Sequence, residues 1–255
     1  MGSLALVFGL RDATVRGWAD TRTWNPVLCE PRSGAAARGD LVGCEHVEMV
    51  RSRVRDVRVL FFGDSLVAGV GDETGLGWVG RSVAAAHAAG IALTPYNLGV
   101  RRDTSRDILS RWEREARPRL AAEATMRVVF SFGANDTTIE EGRLRVPPEE
   151  TATNLDAVLV RAAALDLPAF VVGPSPVNDA RQRRRVIHLA RRMNDVSTGR
   201  GIPFVDVAAS IDAHGVWRDE SERGDGAHPG ASGYAYLAEL VADPWLSWLR
   251  HPLDR

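Results

Sequence analysis

The chain has 255 residues, 45% of them hydrophobic and 25% charged, enough to bury a full core and too apolar for disorder throughout. A net charge of −1 gives no general attraction to nucleic acid, so none is expected as a partner. All 32 basic residues are Arg, which reads as a compositional habit of the whole chain before it reads as chemistry.

Residues 1–55 carry scattered Trp, Pro, Gly and Arg without sustained periodicity. They are expected to form a weakly structured or disordered extension before a folded domain over 56–255. Met49 stands as a second candidate start near the end of that extension. Cys29 and Cys44 are the only cysteines, so there is no disulfide scaffold. No Cys/His cluster has zinc-ligand spacing, and no metal is expected. The apolar stretch 4–10 is far too short to span a bilayer. It also lacks the basic flank and cleavage site of a signal peptide, so a cytoplasmic location and no stable membrane insertion are expected.

From Arg58 onward strand-like and helix-like segments alternate. Residues 58–63 (RVLFFG) form a short apolar run ending in a turn, the pattern of a buried strand. A helix is predicted over 78–89, with Gly90 suited to its C-terminal cap. A second strand follows over 91–98. Residues 104–120 read as a charged amphipathic helix with Ile108, Leu109 and Trp112 on one face, disturbed by Pro118. The third strand is 127–132 (RVVFSF). A helix over 148–165 starts at Pro147 and Pro148. The fourth strand is 169–173 (AFVVG), followed by a long helix over 179–198. That helix places Val186, Leu189, Ala190 and Met193 on one face. Its arginines, Arg181, Arg183, Arg184, Arg185, Arg191 and Arg192, read as a solvated face opposite that stripe. A fifth strand is predicted over 202–207 and a last helix over 230–241. Strands separated by helices of this length predict an α/β fold with a parallel sheet covered on both faces.

In such sheets the active groups lie beyond the carboxyl ends of the strands. Four short segments stand out at or near those ends: Gly63-Asp64-Ser65-Leu66, Asn97-Leu98-Gly99, Gly133-Ala134-Asn135-Asp136 and Asp225-Gly226-Ala227-His228-Pro229. Ser65 is expected at a strand-to-helix turn, where a helix N-terminus favours developing negative charge. A serine hydroxyl is a weak nucleophile until a base takes its proton. His228 is the best-placed base, and Asp225, three residues earlier, can hold its Nδ1 so that Nε2 faces Ser65. The backbone N–H groups of Ser65 and Gly99 and the side-chain amide of Asn135 are candidate donors to an oxyanion. Asp136 reads as a brace for its loop and Asp206 as structural.

Taken in order, these segments resemble the four blocks of the GDSL or SGNH hydrolase family. FFGDSLVAGVG (61–71) is similar to the first block, NLGV (97–100) to the second, SFGAND (131–136) to the third and DGAHP (225–229) to the last. The resemblance implies a flavodoxin-like three-layer α/β/α sandwich with a five-stranded parallel sheet in the order 2-1-3-4-5. It implies hydrolysis of carboxylic esters through an acyl-serine intermediate, without a cofactor or metal. Ser65 matches the nucleophile, Gly99 and Asn135 the oxyanion donors, and Asp225 and His228 the rest of the triad. The bacterial lysophospholipase and arylesterase-like branch is the nearest in general look. Short-chain acyl, lysophospholipid-like or acetylated esters are the small-molecule substrates expected. Acyl transfer by the same residues, and a non-catalytic ligand-binding module on the same fold, are the alternatives.

One departure from the family lies beside Gly99. Arg101 and Arg102 stand where many members carry a small Ser-Gly pair, making that rim more positive. Both are candidates for holding an anionic part of the substrate. Trp78 and Ile139, with Leu66, Val70, Val100 and Leu144, are candidates for a shallow acyl pocket.

Overall fold

The computed structural model describes residues 56–251. The expected extension over 1–55, with Cys29, Cys44 and Met49, lies outside the described residues. β1 (Val57–Gly63) alternates its side chains between two cores. Val57, Val59 and Phe61 enter one core, and Leu60 and Phe62 the other. That period of two is what a pleated strand imposes, and both faces are apolar because both are covered.

β1 pairs in parallel with β2 (Leu93–Gly99) on one side and β3 (Thr125–Ser131) on the other. A short hairpin follows, made of β4 (Ile139–Glu140) and β5 (Arg143–Leu144). β6 (Ala169–Val172) and β7 (Phe204–Val205) complete the main sheet. The order β2-β1-β3-β6-β7, all parallel, matches the expected five-stranded sheet and its 2-1-3-4-5 order.

The helices are α1 (Gly77–Ala88), α2 (Ser105–Ala116), α3 (Pro148–Ala164), α4 (Ala180–Gly199), α5 (Ala208–Ala213), α6 (Gly215–Arg223) and α7 (Ala231–Arg250). α1 packs on α7 over the face of Phe61 and Phe170. α2 packs on α3, and α3 on α4, over the face of Phe62 and Phe130. Aromatic rings join the layers: Trp78 and Trp245 both meet Phe61, and Trp112 meets Phe62 and Phe130.

Several elements differ from expectation: the fifth strand, expected over 202–207, is only Phe204–Val205, and α5 and α6 fall where no helix was expected. α7 runs nine residues past Val241 and through Pro244. The ring forgoes one backbone bond, but Trp245, Trp248 and Leu249 beyond it are buried against the sheet, and that packing carries the helix on. The helix read over 104–120 ends at Ala116 and tightens into a 3-10 turn over Arg117–Arg119, at the place where Pro118 was expected to disturb it. The stretch 139–144, where no strand was expected, is a hairpin. Its central residues Glu141 and Gly142 have φ of 50° and 79°, the positive values a type I′ turn requires.

Candidate active site

The register brings three strand ends to one level: Gly63 lies opposite both Gly99 and Ser131. Beyond Gly63 the chain does not enter a helix. Residues 64–71 are successive turns, and α1 begins only at Gly77. One helical bond forms, from Ala68 N–H to the Asp64 carbonyl at 3.1 Å. Gly69 and Gly71, with φ of 78° and 91°, then turn the chain out of helical geometry. The helix N-terminus expected at Ser65 is therefore absent, and stabilisation of negative charge there rests on individual N–H groups.

Ser65 is buried at the start of this turn. Its Oγ lies 2.7 Å from Nε2 of His228, and Nδ1 of that ring lies 2.6 Å from Oδ2 of Asp225. The other Asp225 oxygen accepts the backbone N–H groups of Ala227 and His228, both at 3.0 Å. Burial would raise the Asp225 carboxyl, but the bonds from the His228 ring and these N–H groups outweigh it and hold it at about 2. Asp225 is thus an anion beneath the imidazole across the working pH range.

The His228 loop is fixed from several sides. A Cβ at Gly71 would meet the Pro229 carbonyl at 2.7 Å and the His228 Cβ at 3.0 Å, so the turn after Ser65 packs directly on this loop. Glu73 and Glu220 accept N–H groups at the start of α7, from Ala231 and Gly233 respectively. Two carboxylates at a helix N-terminus satisfy its orphan donors and complement its dipole.

Gly99 and Asn135 flank the same rim. A Cβ at Gly99 would lie 2.4 Å from Ala68 N and 2.8 Å from the Asp64 carbonyl, so only glycine lets β2 end against the Ser65 turn. The Gly99 N–H donates to Oδ1 of Asn97 at 3.1 Å. The Asn97 amide in turn donates to the Val67 carbonyl at 2.7 Å. Asn135 Nδ2 donates to the Asp103 carbonyl at 3.0 Å and, more weakly, to Oδ2 of Asp64 at 3.4 Å. The backbone N–H of Ser65 has no partner among the described residues.

Asp64 is fully buried beneath these groups and accepts the Leu66 N–H at 2.9 Å. Burial pushes its carboxyl up to about 7; the Leu66 bond opposes the shift, and the charges of Asp136 and Asp103 add to it. Asp136 is also buried and accepts from the Ser105 N–H and the Thr151 hydroxyl, tying the Asn135 turn to α2 and α3. Asp206 accepts the Ala208 N–H at the start of α5.

The substrate-binding candidates divide. Trp78 is 1% exposed and packs edge-on against Phe61, so it is core and not pocket lining. A large ring at the first turn of an amphipathic helix faces the sheet, not the rim. Leu66 is buried as well, whereas Ile139, 52% exposed, and Val100 are open. Arg102 is exposed and pairs with Glu140 at 2.7 Å. Arg101 is exposed with no partner among the described residues.

Three bracing residues were given no role by the sequence. Asn97 is one. Gln182 on α4 donates to the Ala134 carbonyl and the Thr138 hydroxyl on either side of the Asn135 turn. Arg111 on α2 is buried and donates to the carbonyls of Gly63 and Leu98, holding the ends of β1 and β2, while Asp103 and Glu115 balance its charge. The one available signal was Arg111's position between Ile108 and Trp112 on the apolar face of its helix.

The GDSL-like lipase/acylhydrolase family model matches residues 61–236, a span containing Ser65, Gly99, Asn135, Asp225 and His228. The chain belongs to this family. It is a carboxylic ester hydrolase of the GDSL type. Solved structures share its fold. A lipase/acylhydrolase from Enterococcus faecalis superposes with a TM-score of 0.63 at 22% identity, covering 77% of this chain and 99% of its own. An α/β hydrolase enzyme from the metagenome of Lake Arreo gives 0.62 at 20% identity, covering 77% and 98%. An acetylxylan esterase from Geobacillus stearothermophilus gives 0.59 at 18%, covering 79% and 99%. A sequence search of curated proteins finds no match to this GDSL-family chain. No helix among its described residues is long and apolar enough to cross a membrane.

Proposed function

We propose that this GDSL-family protein hydrolyses short-chain or acetyl carboxylic esters through an acyl-serine intermediate on Ser65. One observation carries the reading: Ser65 Oγ, the His228 ring and the Asp225 carboxylate form a continuous hydrogen-bonded chain, with 2.7 Å and 2.6 Å links. Ser65 Oγ attacks the acyl carbon while His228 Nε2 takes its proton. Asp225 holds the Nδ1 proton and stabilises the imidazolium. The carbonyl oxygen becomes an oxyanion received by the N–H of Ser65, the N–H of Gly99 and the Asn135 amide. His228 returns its proton to the departing alcohol. Water then adds to the acyl-enzyme, losing a proton to His228, and the acid leaves as Ser65 regains its hydrogen.

The Gly99 N–H and the Asn135 amide already have acceptors, so part of their donation shifts to the oxyanion as charge develops. The Ser65 N–H has no such competitor. Exposed Ile139 and Val100 supply apolar surface for a short acyl chain, and Arg101 supplies a cation for an anionic substrate. Acetylated sugars join the candidate substrates because one structural neighbour is an acetylxylan esterase.

The test is a panel of p-nitrophenyl acetate, butyrate and octanoate, a lysophospholipid and an acetylated xylo-oligosaccharide. Turnover should be highest on the short or acetyl esters and fall by several orders of magnitude in Ser65→Ala. Equal turnover by wild type and Ser65→Ala would remove Ser65 from the reaction. The Arg101→Ala variant should weaken anionic esters more than neutral ones; equal effects would discard that contact.

A further inference from the structure

α4 carries a row of side chains that the ester chemistry leaves unused. Arg181, Arg184, Arg185 and His188 fall at helical spacings of three and four, so they share one stripe. They do not face open solvent alone. Together with the hairpin and the start of α3 they enclose a groove of about 270 Å³. Its apolar side is made by Leu144, Val146, Pro148 and Leu189. None of its lining residues belongs to the Ser65, Gly99, Asn135, Asp225 and His228 set.

The charge of this groove is not balanced. Arg181 and Arg184 are exposed and have no acidic partner among the described residues. Arg185 donates only its Nε, to the Thr137 carbonyl at 2.9 Å. The nearby acids are engaged elsewhere: Glu149 with Arg192, Glu140 with Arg102 and Arg145, and Asp212 with Arg183. The charge is thus one-signed over an apolar floor, a combination that selects a ligand with an anionic head and a short hydrocarbon body. Guanidinium groups match a carboxylate in two-point geometry. The apolar wall rewards burial of methylenes that a bare phosphate or a polyanion lacks. The volume lies just under the roughly 300–1,000 Å³ of drug-sized ligand sites, which fits a chain of medium length.

We propose that this groove is a second binding site, taking a free medium-chain carboxylate between α4 and the β4–β5 hairpin. The carboxylate lies on Arg181 and Arg184, and the chain lies along half-buried Leu144 and Pro148, with Val146 and Leu189 packed beneath them. Octanoate is the probe. Titrated into the ¹⁵N-labelled full chain, it should give saturable amide shifts at 137, 144–146 and 181–189. The double variant Arg181→Ala/Arg184→Ala should weaken that binding by about tenfold or more, the loss expected for charge-assisted hydrogen bonds. Octan-1-ol, with the same chain and no charge, should bind at least as weakly as octanoate does to the variant. Shifts confined to residues around Ser65 and His228, or equal affinity in wild type and variant, would overturn the proposal. So would retention of the chain on anionic phospholipid vesicles without saturable octanoate binding. These readouts do not depend on ester turnover, so they stand or fall apart from the role of Ser65.

Discussion

The backbone N–H of Gly99 donates to the side-chain oxygen of Asn97, two residues earlier on the same strand end, at 3.1 Å. The same Asn97 amide reaches across to the Val67 carbonyl in the Ser65 turn. Asn97 therefore sets the spacing between a proposed oxyanion donor and the proposed nucleophile without touching either reacting atom. It is a positioning residue. Asn97→Ala should lower kcat by about tenfold or more, with a smaller change in KM, because displaced donors weaken transition-state binding first. Asn97→Asp should be worse. It keeps an acceptor for Gly99, loses the donor to Val67 and puts an anion beside the developing oxyanion. Steady-state kinetics of both variants check the order; Asn97→Asp matching wild type would contradict it.

The pH dependence of stability should carry a mark of Asp64. Its folded-state pKa, pushed up by burial to about 7, stands above the roughly 3.9 of an unfolded Asp. Between those values the folded state binds more protons than the unfolded one, so this group makes stability fall as pH rises from about 4 to about 7. Asp225 acts in the opposite sense, and so does Asp72, where burial is outweighed by bonds from Arg81, from the Thr74 hydroxyl and N–H and from the Gly77 N–H. Both are held at about 2, so their contribution is present above about 4 and is lost as pH falls toward 2. Denaturant titrations from pH 4 to 8 should show a shallower decline in Asp64→Asn than in wild type. Parallel curves would refute the assignment.

Trp78 and Ile139 began as equal candidates for substrate contact, and the structure separates them. Trp78→Ala removes a buried ring and should cost about 3–5 kcal/mol of stability. Ile139→Ala, on the exposed hairpin, should change stability by less than about 0.5 kcal/mol. Its effect should instead be on KM for the longer acyl esters. Thermal or chemical unfolding with an ester chain-length series distinguishes the two; a stable Trp78→Ala variant with raised KM would restore it to the pocket.

Much of this architecture was legible because it is written in short-range signals. The strands before Ser65 and Asn135 are apolar runs closed by glycine, and parallel pairing follows from the helices between them. Ser65, Gly99 and Asn135 lie at or just past strand ends, where the sheet rule directs attention, and Asp225 and His228 stand in the short segment before the last helix. What was hidden depends on distant partners. The passage of α7 through Pro244 is decided by Trp245 and Trp248 against Phe170, more than seventy residues earlier in sequence. The role of Arg111 was hidden because its acceptors, Gly63 and Leu98, belong to two other elements. The absence of a helix at Ser65 follows from Gly69 and Gly71, whose positive φ serves close packing on Gly77 and on the His228 loop. Glycine spacing alone does not reveal which contact demands it.

The central claim is that Ser65 is a nucleophile activated by His228. Labelling of the full chain with a fluorophosphonate, read by peptide mass spectrometry, tests it most directly. A covalent adduct should form on Ser65 in the wild type, and its rate should fall by orders of magnitude in His228→Ala. An adduct on another residue, no adduct at all, or unchanged labelling in His228→Ala would contradict the account.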